Sequence, residues 1–153
     1  MKPYTRIKQA RLDPEYAFRT LDFEDHYFSI LDPIGERQSI FIEGLDLPNR
    51  FKKLRPNELI RIGETGFGTG LTFLLTAHCF LQEAPKGARM QWISSEYYPL
   101  NPSDLARIHS QLPLNPVVTS IAEQLRAYWP ELIPGCHRRS FYEHRILLDL
   151  HFG

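Results

Sequence analysis

A chain of 153 residues is long enough to bury roughly 70% of its unfolded surface in one ordinary domain, with no need of disulfides or a structural metal. Hydrophobic residues at 42%, charged residues at 24% and a mean hydropathy of −0.33 exclude collagen-like, disulfide-framework and wholly disordered chains. Basic and acidic residues number 18 each, so the formal charge is zero and any contact with a polyanion must be local. The two cysteines, Cys79 and Cys136, form no Cys-x-x-Cys pair and read as reduced thiols. The most apolar run, residues 71–81, contains His78 and is shorter than the roughly 20 residues of a membrane span. Met1-Lys2-Pro3-Tyr4-Thr5-Arg6 lacks the apolar core of a signal peptide, so a cytoplasmic protein with no membrane partner is expected.

Charge changes sign along the chain. Residues 19–46 hold seven acids, Asp22, Glu24, Asp25, Asp32, Glu36, Glu43 and Asp46, against Arg19 and Arg37. Residues 50–61 reverse this with Arg50, Lys52, Lys53, Arg55 and Arg61 against Glu58. That stretch is either a solvated helix face or a phosphate-contacting edge. Within residues 23–47 the pattern predicts a β-hairpin: a Tyr27-Phe28-Ser29 strand, a turn at Asp32-Pro33-Ile34-Gly35 and a return strand Ser39-Ile40-Phe41-Ile42.

From Glu58 strands alternate with helices, the arrangement a parallel sheet with crossover helices requires. Leu59-Ile60-Arg61-Ile62-Gly63-Glu64 is the first strand, a glycine-rich turn follows, and Leu71–Glu83 is apolar almost all round, as a helix buried on a sheet would be. Met90-Gln91-Trp92-Ile93-Ser94-Ser95-Glu96 is the second strand. Asn101 or Ser103 can cap a helix carrying Leu105, Ile108 and Leu112, and residues 117–129 repeat the helical spacing through Ile121, Leu125 and Tyr128. Ser140-Phe141-Tyr142 and Arg145-Ile146-Leu147-Leu148-Asp149-Leu150 read as strands, the second being the third parallel strand. The expected boundaries are an N-terminal extension at residues 1–57 and an α/β unit at residues 58–153.

The strongest chemical signal is Glu64-Thr65-Gly66-Phe67-Gly68-Thr69-Gly70, an acid at a strand end followed by glycines at alternate positions. Such glycines allow positive φ and let a ligand approach the backbone with no Cβ in the way. The dinucleotide fingerprint would need a third glycine where Leu71 stands, and a P-loop would need a Gly-Lys pair that is missing. Glu96, 26 residues beyond Gly70, ends the second strand, where a carboxylate can accept from both hydroxyls of a ribose. Cys136 and His137 are adjacent, so on a strand they point to opposite faces and read as structural. No zinc-type ligand spacing and no Gly-x-Ser-x-Gly elbow is present, so neither a metal site nor hydrolase chemistry is expected.

Five motifs in order resemble the methyltransferase domain of the bifunctional bacterial proteins that complete the 5-methylaminomethyl-2-thiouridine wobble base of tRNA. They are Phe23-Glu24-Asp25-His26-Tyr27-Phe28-Ser29, Glu64-Thr65-Gly66-Phe67-Gly68-Thr69-Gly70-Leu71, Ile93-Ser94-Ser95-Glu96-Tyr97-Tyr98-Pro99-Leu100, Leu132-Ile133-Pro134-Gly135-Cys136-His137-Arg138 and Leu148-Asp149-Leu150-His151-Phe152-Gly153. The resemblance implies a partial Rossmann-like α/β fold: the first three parallel strands with crossover helices, preceded by an N-terminal β-hairpin extension. It implies S-adenosylmethionine as cofactor, with Glu64, Gly66, Phe67, Gly68 and Gly70 shaping its pocket and Glu96 holding its ribose. Tyr27, Phe28 and Asp25 would lie near the substrate base, a wobble uridine of tRNA, although paired aromatics on a hairpin equally suit a packed core. The partners implied are tRNA and a flavin-dependent oxidase domain.

The family's acid after the third strand, its Asp-Gly-Phe-rich motif and its fourth strand have no counterpart before Gly153. The expectation is therefore a truncated domain, weak or inactive alone, with its first strand as an exposed edge and with no residue assigned as general base. A noncatalytic binding module and a nucleotide-binding oxidoreductase half-domain are the alternatives.

Overall fold

The computed structural model describes residues 7–23, 25–29 and 31–153; residues 1–6, Glu24 and Ile30, which include one acid of the first motif, lie outside the described residues. The centre is a four-stranded sheet built from β3 (Leu59–Thr65), β4 (Arg89–Glu96), β5 (Gly135–Phe141) and β6 (Ile146–Phe152), in the order β3-β4-β6-β5. β3, β4 and β6 are parallel, and β5 runs antiparallel to β6. This is the expected α/β architecture: three parallel strands in sequence order, with β3 on the outer edge.

Alternation along the strands sorts the side chains. On one face Met90, Trp92, Ser94, Ile146, Leu148, Leu150 and Phe152 are buried. The other face carries a polar ladder with one side chain from each strand. Arg61 donates to Gln91 (3.0 Å), Gln91 donates to Asp149 (2.8 Å), and Arg138 donates through two nitrogens to both oxygens of Asp149 (2.7 Å each). The bonds from Arg138, first of all, hold the Asp149 carboxyl below the usual carboxylate range.

The helix α3 (Leu71–Glu83) follows β3, and all of its residues from Leu71 to Ala77 are buried. Its Phe73 meets Trp92 of β4 and Phe141 of β5 at centroid distances of 5.9 and 5.8 Å. The helices α4 (Pro102–Ser110) and α5 (Pro116–Ala127) connect β4 to β5. Each begins with an asparagine cap and a proline: Asn101 accepts from Asp104 N–H, and Asn115 accepts from Val117 and Val118 N–H. Leu105, Ile108, Leu112, Ile121 and Leu125 are buried as their spacing predicts, whereas Tyr128 is exposed.

The N-terminal segment departs from the predicted layout. It does contain an antiparallel hairpin, but the pairing is β1 (Arg19–Thr20) with β2 (Asp25–His26). Tyr27 and Phe28 bend away just after it. The expected turn at Asp32 is the start of helix α1 (Pro33–Arg37), in which Asp32 accepts from Gly35 N–H. The expected return strand is a π-helix (Gln38–Glu43), followed by α2 (Leu47–Lys52). Asp-Pro reads equally as a turn or as a helix cap with proline at its first position, and here the cap prevails. The β-branched residues Ile40 and Ile42 misled because they lie on a helix packed against α3, where Ile42 is buried and Ile40 faces out.

Phe51 of α2 is fully buried and meets Phe80 of α3 edge-on, with centroids 5.3 Å apart. This ring fastens the N-terminal segment to the sheet layer. Phe51→Ala is expected to cost about 3–5 kcal/mol of stability. Urea denaturation checks this, and a loss under about 1 kcal/mol would mean that the ring is not an anchor.

Candidate cofactor site at the glycine loop

The loop between β3 and α3 is drawn back onto β4. Gly66 and Phe67 both donate their N–H to the Ser95 carbonyl (2.9 and 3.1 Å). Gly68 N–H donates to one carboxylate oxygen of Glu96 (2.8 Å), and Tyr98 N–H donates to the other (2.9 Å). Gly70 N–H donates to the Phe67 carbonyl (2.9 Å), and Leu71 N–H reaches the Thr69 hydroxyl (3.4 Å). These amides are all occupied within the protein.

Positive φ at Gly66, Gly68 and Gly70 makes the turn possible. The space around the three glycines differs. A Cβ on Gly66 would meet nothing within 4 Å, so a ligand can lie against that backbone. A Cβ on Gly68 would come within 3.2 Å of the Tyr27 ring, and one on Gly70 within 2.8 Å of the Phe67 ring. Phe67 itself is turned inward, 3% exposed, between Phe73 and Trp129. It anchors the loop from below.

Glu64 and Ser94 are register partners on β3 and β4. One Glu64 oxygen accepts from Ser94 Oγ (3.0 Å) and from Trp92 Nε1 (3.1 Å). Burial nonetheless pushes its carboxyl up to about 7, with those two bonds and the charge of Arg37 pulling the other way. Arg37 donates to the Tyr27 carbonyl (2.7 Å) and so holds Tyr27 over the loop. Tyr27, Phe28, Arg37, Glu64, Gly66 and Gly68 share the lining of one cavity of about 90 Å³. A neighbouring cavity of about 190 Å³ is lined by Asp25, His26, Tyr27, Glu96 and Tyr98 among others.

The fold thus brings Glu64, Gly66, Phe67, Gly68, Gly70, Glu96, Tyr27 and Phe28 together, with exposed Asp25 at the rim. Phe28 is buried against Phe18 (4.9 Å between centroids), and burial raises the Tyr27 phenol. Arg37, Trp92 and Ser94 escaped the sequence reading. The parallel register would have revealed Ser94, and Arg37 is one of only two bases in the acidic stretch.

The basic stretch lies elsewhere. Lys52 pairs with Glu83 (3.2 Å) at the far end of α3, roughly 20 Å from the loop by helical rise. Cys136 is exposed, and His137 bonds the Ile133 carbonyl through Nε2 (2.8 Å), which is a structural contact. Among the described residues no cluster of three or more His, Cys, Asp or Glu is placed to hold a metal ion, and no helix is long and apolar enough to cross a membrane.

No protein-family model matches the chain. The tRNA 5-methylaminomethyl-2-thiouridine biosynthesis bifunctional protein MnmC of Aeromonas salmonicida is 42% identical over 154 residues, which cover 97% of this chain and 23% of that protein. The chain is homologous to one segment of the MnmC bifunctional proteins. The protein of that name from Chromohalobacter salexigens is 43% identical over 153 residues, covering 94% of this chain and 21% of its own length. The chain therefore spans less than a quarter of the curated relatives it matches. The crystal structure of MNMC2 from Aquifex aeolicus has the same fold, with a TM-score of 0.62 at 18% identity over 99% of this chain and 44% of that one.

The half-buried acid gives the site a pH signature. Glu64 is pushed from 4.5 to about 7 on folding, so the folded chain binds more protons than the unfolded chain between those values. Stability is then lost as pH rises through that window. Glu64→Gln, which keeps an acceptor for Trp92 and Ser94, is expected to raise stability by roughly 1–3 kcal/mol at pH 8 and to change little at pH 4. Chemical denaturation at the two pH values checks this; equal effects at both would mean the carboxyl titrates normally.

Proposed function

We propose that the glycine loop binds S-adenosylmethionine and that the chain is the cofactor-binding part of a tRNA-modifying methyltransferase. The acceptor would be the aminomethyl group of wobble 5-aminomethyl-2-thiouridine, giving the 5-methylaminomethyl form. Residues 58–153 would carry the cofactor and residues 1–57 would cover it. The observation that supports this reading most is the internal use of the loop's amides. The N–H groups of Gly66, Phe67, Gly68, Gly70 and Leu71 all face protein acceptors, so none of the three loop-glycine amides is left for a diphosphate. That favours a nucleoside without phosphates over a dinucleotide.

The cofactor, when bound, supplies an electrophilic methyl group that an amine can take up with loss of a proton. The chain's own residues bind and orient. Glu96 accepts one N–H at each oxygen and retains lone pairs for ribose hydroxyls. Glu64, a half-buried acid beside the open Gly66 backbone, favours a cationic group next to it, since such a group relieves the cost of ionising it. The Tyr27 ring, held by Arg37 against Gly68, gives an aromatic face suited to a cation or a nucleobase. Holding donor and acceptor in line would carry much of the rate. By the same resemblance a flavin-dependent oxidase part and a cytoplasmic tRNA substrate belong to the whole protein's activity.

Competitive titration tests the reading. S-adenosylhomocysteine should bind saturably and NADH should fail to displace it, whereas selective NADH binding would overturn the assignment. Glu96→Ala should weaken S-adenosylhomocysteine by about 1.5–3 kcal/mol, the worth of a charged hydrogen-bonding partner. Unchanged affinity would remove Glu96 from the pocket.

A further inference from the structure

His109 belongs to none of the groups assigned above, yet it touches the loop. It lies in the last turn of α4, 5% exposed, with both ring nitrogens engaged. Nε2 is 2.9 Å from the Thr69 carbonyl oxygen, and Nδ1 is 2.9 Å from Nη1 of Arg126 on α5. The chemistry of the partners fixes the tautomer. A guanidinium only donates, so Nδ1 accepts; a carbonyl only accepts, so Nε2 carries the hydrogen. The ring is neutral, and protonation would set an N–H against the Arg126 N–H and bring two cations into contact. Burial pushes the imidazole down to about 4, aided by Arg126 and opposed by the bond to Thr69.

The Thr69–Gly70 peptide is consequently held on both sides. His109 donates to its carbonyl, while its N–H donates to the Phe67 carbonyl (2.9 Å). Thr69 is only 4% exposed, so without the imidazole its carbonyl would lose its partner in a place with little water. Leu125, next to Arg126 on α5, stands 3.2 Å from where a Gly70 Cβ would be. Helix α5 therefore backs the loop at two points, one of them through His109.

We propose that His109 is a positioning residue for the cofactor loop: as the neutral Nε2–H imidazole it carries the placement of α5, through Arg126, to the Thr69 carbonyl and fixes the Thr69–Gly70 peptide at the mouth of α3. This rests on the reading of the loop as the cofactor site, and its experiment separates the two. In the 153-residue chain, His109→Gln keeps a donor at the position of Nε2, whereas the shorter His109→Asn and apolar His109→Leu do not. Affinity for S-adenosylhomocysteine should stay within about threefold in the Gln variant and fall about tenfold or more in the other two. Hydrogen exchange at the Gly70 amide should be unchanged in the Gln variant and at least about tenfold faster in the others. Nitrogen NMR of the wild-type ring at pH 7 should show the Nε2–H tautomer.

If the wild type fails to bind S-adenosylhomocysteine, the cofactor reading falls while the tautomer and Gly70 exchange still decide the role of His109. An Nδ1–H or charged ring in the wild type would overturn the proposal, even if no variant folds. So would three folded variants with equal affinity and equal Gly70 exchange.

Discussion

A single carboxylate ties the candidate site together. Glu96, at the end of β4, accepts the Gly68 N–H with one oxygen and the Tyr98 N–H with the other. The first bond reaches back to the loop after β3, and the second fixes the path of the chain leaving β4. With the Ser95 carbonyl taking the Gly66 and Phe67 N–H groups, the ends of two parallel strands become one surface. Charge-assisted bonds of this kind are among the stronger ones a loop can make. They spend the Gly66, Phe67 and Gly68 donors on the loop's shape, which inclines the site toward a ligand free of phosphate.

Around that closure the site is supported from three directions. Phe67 anchors the loop into an aromatic cluster with Phe73 and Trp129, His109 holds the Thr69 carbonyl from the side of α4 and α5, and Tyr27 covers Gly68 from the N-terminal segment. Against this rigid surround Glu64 is kept half-buried at a cost, its carboxyl raised to about 7 although Trp92 and Ser94 both donate to it. A carboxylate that destabilises the folded state at neutral pH is what a site for a cationic ligand would retain. The polar ladder of Arg61, Gln91, Asp149 and Arg138 on the opposite sheet face, in contrast, pairs its one carboxylate, Asp149, with Arg138 and carries no such cost.

What the sequence made legible follows from how local each determinant is. The β3 strand, the glycine turn and α3 were readable because strand alternation, glycine at positive φ and an all-apolar helix are each written in consecutive residues. The Asn101 cap was equally local. The N-terminal segment was misread because Asp32-Pro33 serves a turn and a helix start alike. Only packing on α3 decided for the helix and turned Ser39-Ile40-Phe41-Ile42 into part of a π-helix. Arg37 and His109 were invisible for a different reason. Their partners, the Tyr27 and Thr69 carbonyls, are backbone atoms, 10 and 40 residues away along the chain, that leave no mark in the pattern of side chains.

The most direct test of the central claim is an amide NMR titration of the isotope-labelled chain with S-adenosylhomocysteine. If the loop closed by Glu96 is the cofactor site, the shifts will concentrate at Gly66, Gly68, Glu96 and Tyr98, with Lys52 and Lys53 at the far end of α3 unmoved. Shifts scattered over the surface, or none at the loop at saturating ligand, would contradict the account.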